Sequence, residues 1–236
     1  MTDHDALLAG VLAHPDADLP RLVYADFIEE AGDAARAEFI RVQCALAAGQ
    51  FEDEKEKVAL ELRERYLREK HAPSWLAPLK KKGEPLFTPR SHGLFRRGFV
   101  ECVWMPAAWF VQKAEKLFAR CPVNELRVTL TTPEQFDYLV NSPHFLRLRT
   151  LDVSERRLGD AAFHSFRGAA EYNPLVLSGL KRLRVRGCGV SWSGVISIES
   201  FEPWQFDPEE LDVGNNDLDE YSLILLTQRF GDALKT

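Results

Sequence analysis

Leu148-Arg149-Thr150-Leu151-Asp152-Val153-Ser154-Glu155-Arg156-Arg157-Leu158 places apolar residues at positions 1, 4, 6 and 11 of an L-x-x-L-x-L-x-x-N/C-x-L frame. The same frame fits from Val123 (Leu126, Val128, Pro133), from Leu180 (Leu183, Val185, Cys188, Val190) and from Pro208 (Leu211, Val213, Asn216, Leu218). The starts lie 25, 32 and 28 residues apart, the length of one strand plus one helix. Strands joined by such crossovers pair in parallel.

The intervening segments carry helical signals. Thr132-Pro133-Glu134-Gln135 is a capping box for a helix that buries Phe136, Leu139 and Val140. A second uses Ala161, Ala162, Phe163 and Phe166, a short third is expected near Gly194–Phe201, and a last one at about Leu218–Phe230 closes the apolar end. Upstream, Phe99 to Trp104 alternates as one strand, and Pro106 opens a helix with Phe110, Val111, Ala114, Leu117 and Phe118 on one face. This pattern resembles the leucine-rich repeat. The expected fold is α/β: an α-helical head followed by a short, irregular leucine-rich-repeat-like solenoid with a parallel sheet.

The head is read over residues 1–72. Asp3 caps a first helix (Leu7, Leu8, Val11, Leu12), and Pro20 starts a second (Leu19, Leu22, Val23, Phe27, Ile28) that Gly32 ends. Asp33 caps a third, which is apolar on two sides and therefore central. A charged fourth helix at about 53–71 has a narrow seam of Val58, Leu62, Tyr66 and Leu67 and is expected on the outside. Residues 73–97 hold Pro73, Pro78, Gly83, Pro85, Pro89 and Gly93 and read as a connector, with the repeats at 98–236.

Within the head, Arg21-Leu22-Val23-Tyr24-Ala25-Asp26-Phe27-Ile28-Glu29-Glu30-Ala31-Gly32-Asp33, followed by Arg36-Ala37-Glu38-Phe39-Ile40-Arg41-Val42-Gln43, resembles the repeat-companion domain of planctomycete proteins, written R-L-V-Y-A-D-W-L-E-E-x-G-D and R-A-E-F-I-R-x-Q. Phe27 and Ile28 stand where that family usually has Trp and Leu. The resemblance spans about 45 residues and implies repeats downstream, but no biochemical role. By spacing, Asp26, Glu29, Glu30, Asp33 and Glu38 are expected to serve as caps and as partners of Arg21, Arg36 and Arg41 rather than as metal ligands.

The formal charge of −6 is distributed as −7 over residues 1–72, +5 over 73–97 and −4 over 98–236. No basic start precedes an apolar run, and no apolar stretch approaches 18 residues, so a soluble cytoplasmic protein is expected. Cys44, Cys102, Cys121 and Cys188 are scattered without metal-ligand spacing and read as buried thiols, Cys188 filling the repeat slot that takes Asn or Cys. No P-loop, nucleophile elbow, H-E-x-x-H or dinucleotide fingerprint occurs. No catalytic residue, cofactor or small-molecule substrate is indicated.

The solvent-facing position of each strand reads Glu101, Arg127, Asp152, Arg184 and Asp212, alternating in sign. Such a ladder can neutralise itself laterally, or it can form a mixed-charge binding face enlarged by Thr129, Ser154, Glu155, Arg182, Arg186 and Asn215. Arg184 and Arg186 are the expected contacts, because their strand carries more positive charge than its neighbours can neutralise. The preferred reading is therefore a non-catalytic module that binds another protein through the repeat sheet or the head. A second reading is a regulatory subunit touching nucleic acid or an acidic partner through Lys80, Lys81, Lys82, Arg96 and Arg97, although the acidic balance argues against nucleic acid. A hydrolase built from convergent residues is a third.

Overall fold

A computed structural model describes residues 2–79, 94–199 and 206–236. Gly83, Pro85, Pro89, Gly93 and Phe201 lie outside the described residues, as do Lys80, Lys81 and Lys82. The chain divides into two compact units, Met1–Cys102 with Lys116–Pro122, and Val103–Glu115 with Val123–Thr236.

The first unit is built on four helices: α1 (Asp3–Ala13), α2 (Leu19–Glu30), α3 (Ala34–Ala48) and α4 (Glu54–Leu76). Capping residues set their starts. Thr2 and Asp5 form a reciprocal box at α1, where the sequence suggested Asp3 as the cap, and Asp33 accepts from the Arg36 backbone N–H at α3. Gly32 leaves α2 at φ +98°, a conformation that glycine reaches without steric penalty. Val11, Ala25, Ile28, Ala37 and Ile40 form a core shared by α1, α2 and α3, and α3 buries residues on two sides as its pattern requires.

Helix α4 departs from expectation in two ways. It runs through Pro73 to Leu76, because the turns around the proline bury Ala72 and Leu76 and so offset the missing N–H. Of its expected seam, Leu67 is buried while Val58, Leu62 and Tyr66 are exposed, and Glu64 joins α4 to α3 by accepting from Gln43.

The stretch read as one strand from Phe99 is split. Phe99–Val100 (β2) pairs antiparallel with Phe95–Arg96 (β1) across a turn with positive φ at Arg97 and Gly98. At Glu101 the strand breaks, since the N–H groups of Glu101 and Cys102 both donate to the Leu94 carbonyl. Gly98 rests on α3: its N–H donates to Gln43, and a Cβ there would fall 2.3 Å from Ile40 Cγ1.

The second unit alternates strand and helix. Its sheet has the order β3 (Cys102–Met105), β4 (Glu125–Val128), β5 (Thr150–Asp152), β6 (Arg182–Arg184), β7 (Glu210–Asp212), β8 (Leu234–Lys235), and the strands from β4 to β8 pair in parallel. Between them lie α5 (Ala107–Phe118), α6 (Pro133–Val140), α7 (Ala161–Tyr172), α8 (Trp192–Glu199) and α9 (Glu220–Phe230). Thr132 and Gln135 make the expected capping box. The leucines Leu126, Leu151, Leu183 and Leu211 stand in register, fully buried beneath the helices. At about 25 cal/mol per Å² of apolar surface, each such side chain stabilises by roughly 1.5–3 kcal/mol.

The N/C slot of the frame links one repeat to the next. Asn216 Oδ1 accepts from the N–H groups of Cys188 and Val190, and its Nδ2 donates to the carbonyls of Val185 and Val213. Cys188 Sγ lies 3.1 Å from the Val153 carbonyl. Arg156, a residue outside the consensus, fills the slot in the preceding repeat and donates to the Thr129 carbonyl at 2.6 Å.

Candidate interaction face

Because side chains alternate along a strand, the residues between the buried leucines project from the face of the sheet opposite the helices. Pairing aligns Arg127 with Asp152, Asp152 with Arg184, Arg184 with Asp212 and Asp212 with Lys235. The alternation of sign is therefore real across five strands, and it extends to β8, which the repeat frame did not predict. Glu101 is not part of it. Its side chain is buried, and its Oε1 accepts from Arg21 Nη2 at 2.7 Å, since β3 begins one residue later. On β3, Trp104 lies beneath the Arg127 guanidinium at 5.0 Å.

The ion pairs do not follow the rungs. Arg184 Nε donates to Glu210 Oε1 at 2.6 Å, Arg182 Nη2 to Glu209 at 3.0 Å, and Arg127 Nε to Glu125 at 2.6 Å. Lys235 Nζ lies 3.2 Å from Glu210, and Arg186 Nη1 lies 3.8 Å from Asp212. Asp152 and Asp212 turn back instead to accept from the N–H groups of Ser154 and Gly214, which closes the turn after each strand. Each arginine of β6 and its following turn thus meets a carboxylate on or beside β7. The positive surplus expected on that strand is absent, because Glu209 and Glu210 lie outside the single position read along the ladder.

Exposure separates the three. The side chain of Arg184 is 27% exposed, whereas those of Arg182 and Arg186 are 43% exposed. Exposed pairs contribute about 0–1 kcal/mol each, so the bonds of Arg182 and Arg186 can be exchanged at little cost. Glu155 and Asn215 take left-handed conformations in the turns, at positions equivalent to Gly187.

Hydrogen bonding from Arg184 holds the Glu210 carboxyl below its ordinary value of 4.5, with a smaller contribution from Lys235. A carboxyl with a lowered native pKa adds stability that is complete above its unfolded value and is lost as pH falls through the native one. The urea midpoint of the wild type is expected to exceed that of Glu210→Gln at pH 6, and the difference to shrink as pH falls from 4.5 through the lowered native value.

The other expected site residues are engaged within the first unit. Arg97 bonds the carbonyls of Pro15 and Asp16 and approaches Glu101 and Asp18. Arg96 stands beside it at the tip of the β1–β2 hairpin. Asp26 and Glu29 both accept from Arg41, at 2.7 and 2.6 Å, and Glu38 accepts two bonds from Arg63. Asp26, Glu29, Asp33 and Glu38 thus serve as caps and ion-pair partners, but of the three expected arginines only Arg41 pairs with them: Arg21 pairs with Glu101, and Arg36 with none of the motif's carboxylates. Among the described residues no group of His, Cys, Asp and Glu is arranged to hold a metal ion. The cysteines are buried, and burial pushes the thiols of Cys44, Cys121 and Cys188 up to about 11. Such thiols are poor nucleophiles at neutral pH. Among the described residues no helix is long and apolar enough to cross a membrane.

No protein-family model matches the chain, and no curated protein matches it closely enough to count as a relative.

Proposed function

We propose that the protein is a non-catalytic interaction module whose open sheet face binds another protein. The observation that carries this reading is the register-aligned row of alternating charge from Arg127 to Lys235, flanked by Arg182 and Arg186 with much of their side chains in solvent. A face whose charges already satisfy one another attracts no partner by bulk charge. It selects a partner that carries opposite charges at matching intervals, since mismatched signs leave desolvated charges unpaired. The head, taken as a repeat-companion domain on the strength of residues 19–43, belongs to this reading as the repeats' usual companion.

Site-specific photocrosslinking tests the proposal. A benzophenone amino acid at position 182 or 186 is expected to form a defined adduct in lysate of the native organism, and one at position 172, exposed on α7, is not. Equal labelling from all three positions would count against the sheet face.

A further inference from the structure

The first unit contains a cavity of about 480 Å³ with Tyr24, Arg36, Trp75, Phe99 and Arg120 in its lining. Arg36 is the unusual member. Its guanidinium is ringed by aromatic faces, with Trp75 at 4.7 Å, Phe95 at 5.3 Å, Phe99 at 5.6 Å and Phe39 at 5.8 Å. Its Nη1 is buried and has no hydrogen-bond partner among the described residues. Ring faces replace only part of the hydration that a guanidinium gives up, and a buried cation without an anion is destabilising.

Among the described residues no neighbour supplies that anion. Asp5, the one carboxylate among the described residues that line the cavity, accepts from the Thr2 N–H in the α1 cap and lies 3.7 Å from His4. Asp33 is taken up by the backbone N–H of Arg36 itself. Burial raises the phenol of Tyr24 above its ordinary 10 and the thiol of Cys121 to about 11, so both are neutral near pH 7. Burial lowers Arg36 to about 10, which leaves it cationic. The rest of the wall is apolar, with Leu8, Leu79 and Val100 beside the rings of Trp75 and Phe99.

We infer that this cavity binds a small organic monocarboxylate with an apolar body, its carboxylate on Arg36 and its body against Trp75 and Phe99. A single charge suits the one guanidinium caged by these rings, because Arg120, the other arginine among the described lining residues, is exposed. A carboxylate matches the guanidinium fork, whereas a neutral amide would leave the charge uncompensated.

The test is thermal unfolding of the full chain with phenylacetate, against phenylacetamide and against sodium chloride at equal ionic strength. For a ligand of this size a Kd on the order of 0.1–1 mM is expected. Phenylacetate at 10 mM should then raise Tm by roughly 3 °C or more, with no rise for phenylacetamide. Arg36→Met should abolish the rise while leaving the unliganded protein at least as stable as the wild type. Should that variant fail to fold, the wild type still decides the matter: in ¹⁵N-labelled protein, phenylacetate should shift the Arg36 Nε–H and Trp75 indole resonances saturably. Equal shifts with both compounds, no saturable change at Arg36 or Trp75, or a rise retained in Arg36→Met would overturn the assignment.

Discussion

Arg21→Ala is expected to destabilise the protein by about 3–5 kcal/mol, the largest loss from any single charged residue described here. Arg21 is fully buried, and its Nη2 donates to Glu101 and to the Pro15 carbonyl while its Nη1 donates to the carbonyls of Arg96 and Arg97. Removing the guanidinium takes the closest donor from a carboxylate that is 2% exposed, which keeps Arg97 Nη2 at 3.4 Å, and takes donors from the carbonyls of Arg96 and Arg97. The penalty comes from those poorly compensated groups rather than from the attraction lost, which a buried ion pair largely spends on its own desolvation. Arg21→Lys should recover only part of the loss, because one ammonium cannot replace the fork that spans these acceptors. Urea unfolding followed by circular dichroism measures both; a loss below about 1 kcal/mol for Arg21→Ala would mean that the contact lies open to water.

Asn216→Ala is the second large effect, at about 3–4 kcal/mol. The amide satisfies two N–H groups and two carbonyls in the turns of adjacent repeats, at 2.7 to 3.0 Å. Alanine leaves all four without a protein partner. Asn216→Asp separates the roles of the two ends: it can still accept from the N–H groups of Cys188 and Val190, but it sets a carboxylate oxygen against the carbonyls of Val185 and Val213. It should therefore fall between wild type and alanine at neutral pH. Equal stabilities for the three proteins would show that the slot does not join the repeats.

Much of this architecture was legible because it rests on local signals. The leucine positions of β4–β7 have period-two burial, the Thr132 box and the Asp33 cap are patterns spanning four residues, and the Asn216 slot sits at a fixed offset from Leu211. The reading of Glu101 failed because it depends on a residue far away in the chain. Glu101 continues the alternation of its strand, yet Arg21, 80 positions earlier, turns it inward. Pro73 signals a helix end, and only the burial of Ala72 and Leu76 keeps α4 going beyond it.

The same distinction governs the candidate face. The alternation of Arg127, Asp152, Arg184 and Asp212 could be read strand by strand, because each residue sits at the same offset from a leucine. The partners of the β6 arginines could not, because Glu209 and Glu210 come from positions outside that offset. Arg36 carried no signal of its unpaired state at all; its aromatic cage is assembled from residues 39, 75, 95 and 99.

The most direct test of the interaction-module account is affinity capture from lysate of the native organism at about 150 mM salt, where exposed charges are screened beyond roughly 8 Å. Wild-type full-length protein is compared with Arg182→Glu/Arg186→Glu, both shown to be folded by circular dichroism. The account predicts a protein retained by the wild type and lost from the double reversal, with the urea midpoints of the two baits close together. Capture of the same proteins by both baits, or of nucleic acid alone, would contradict it.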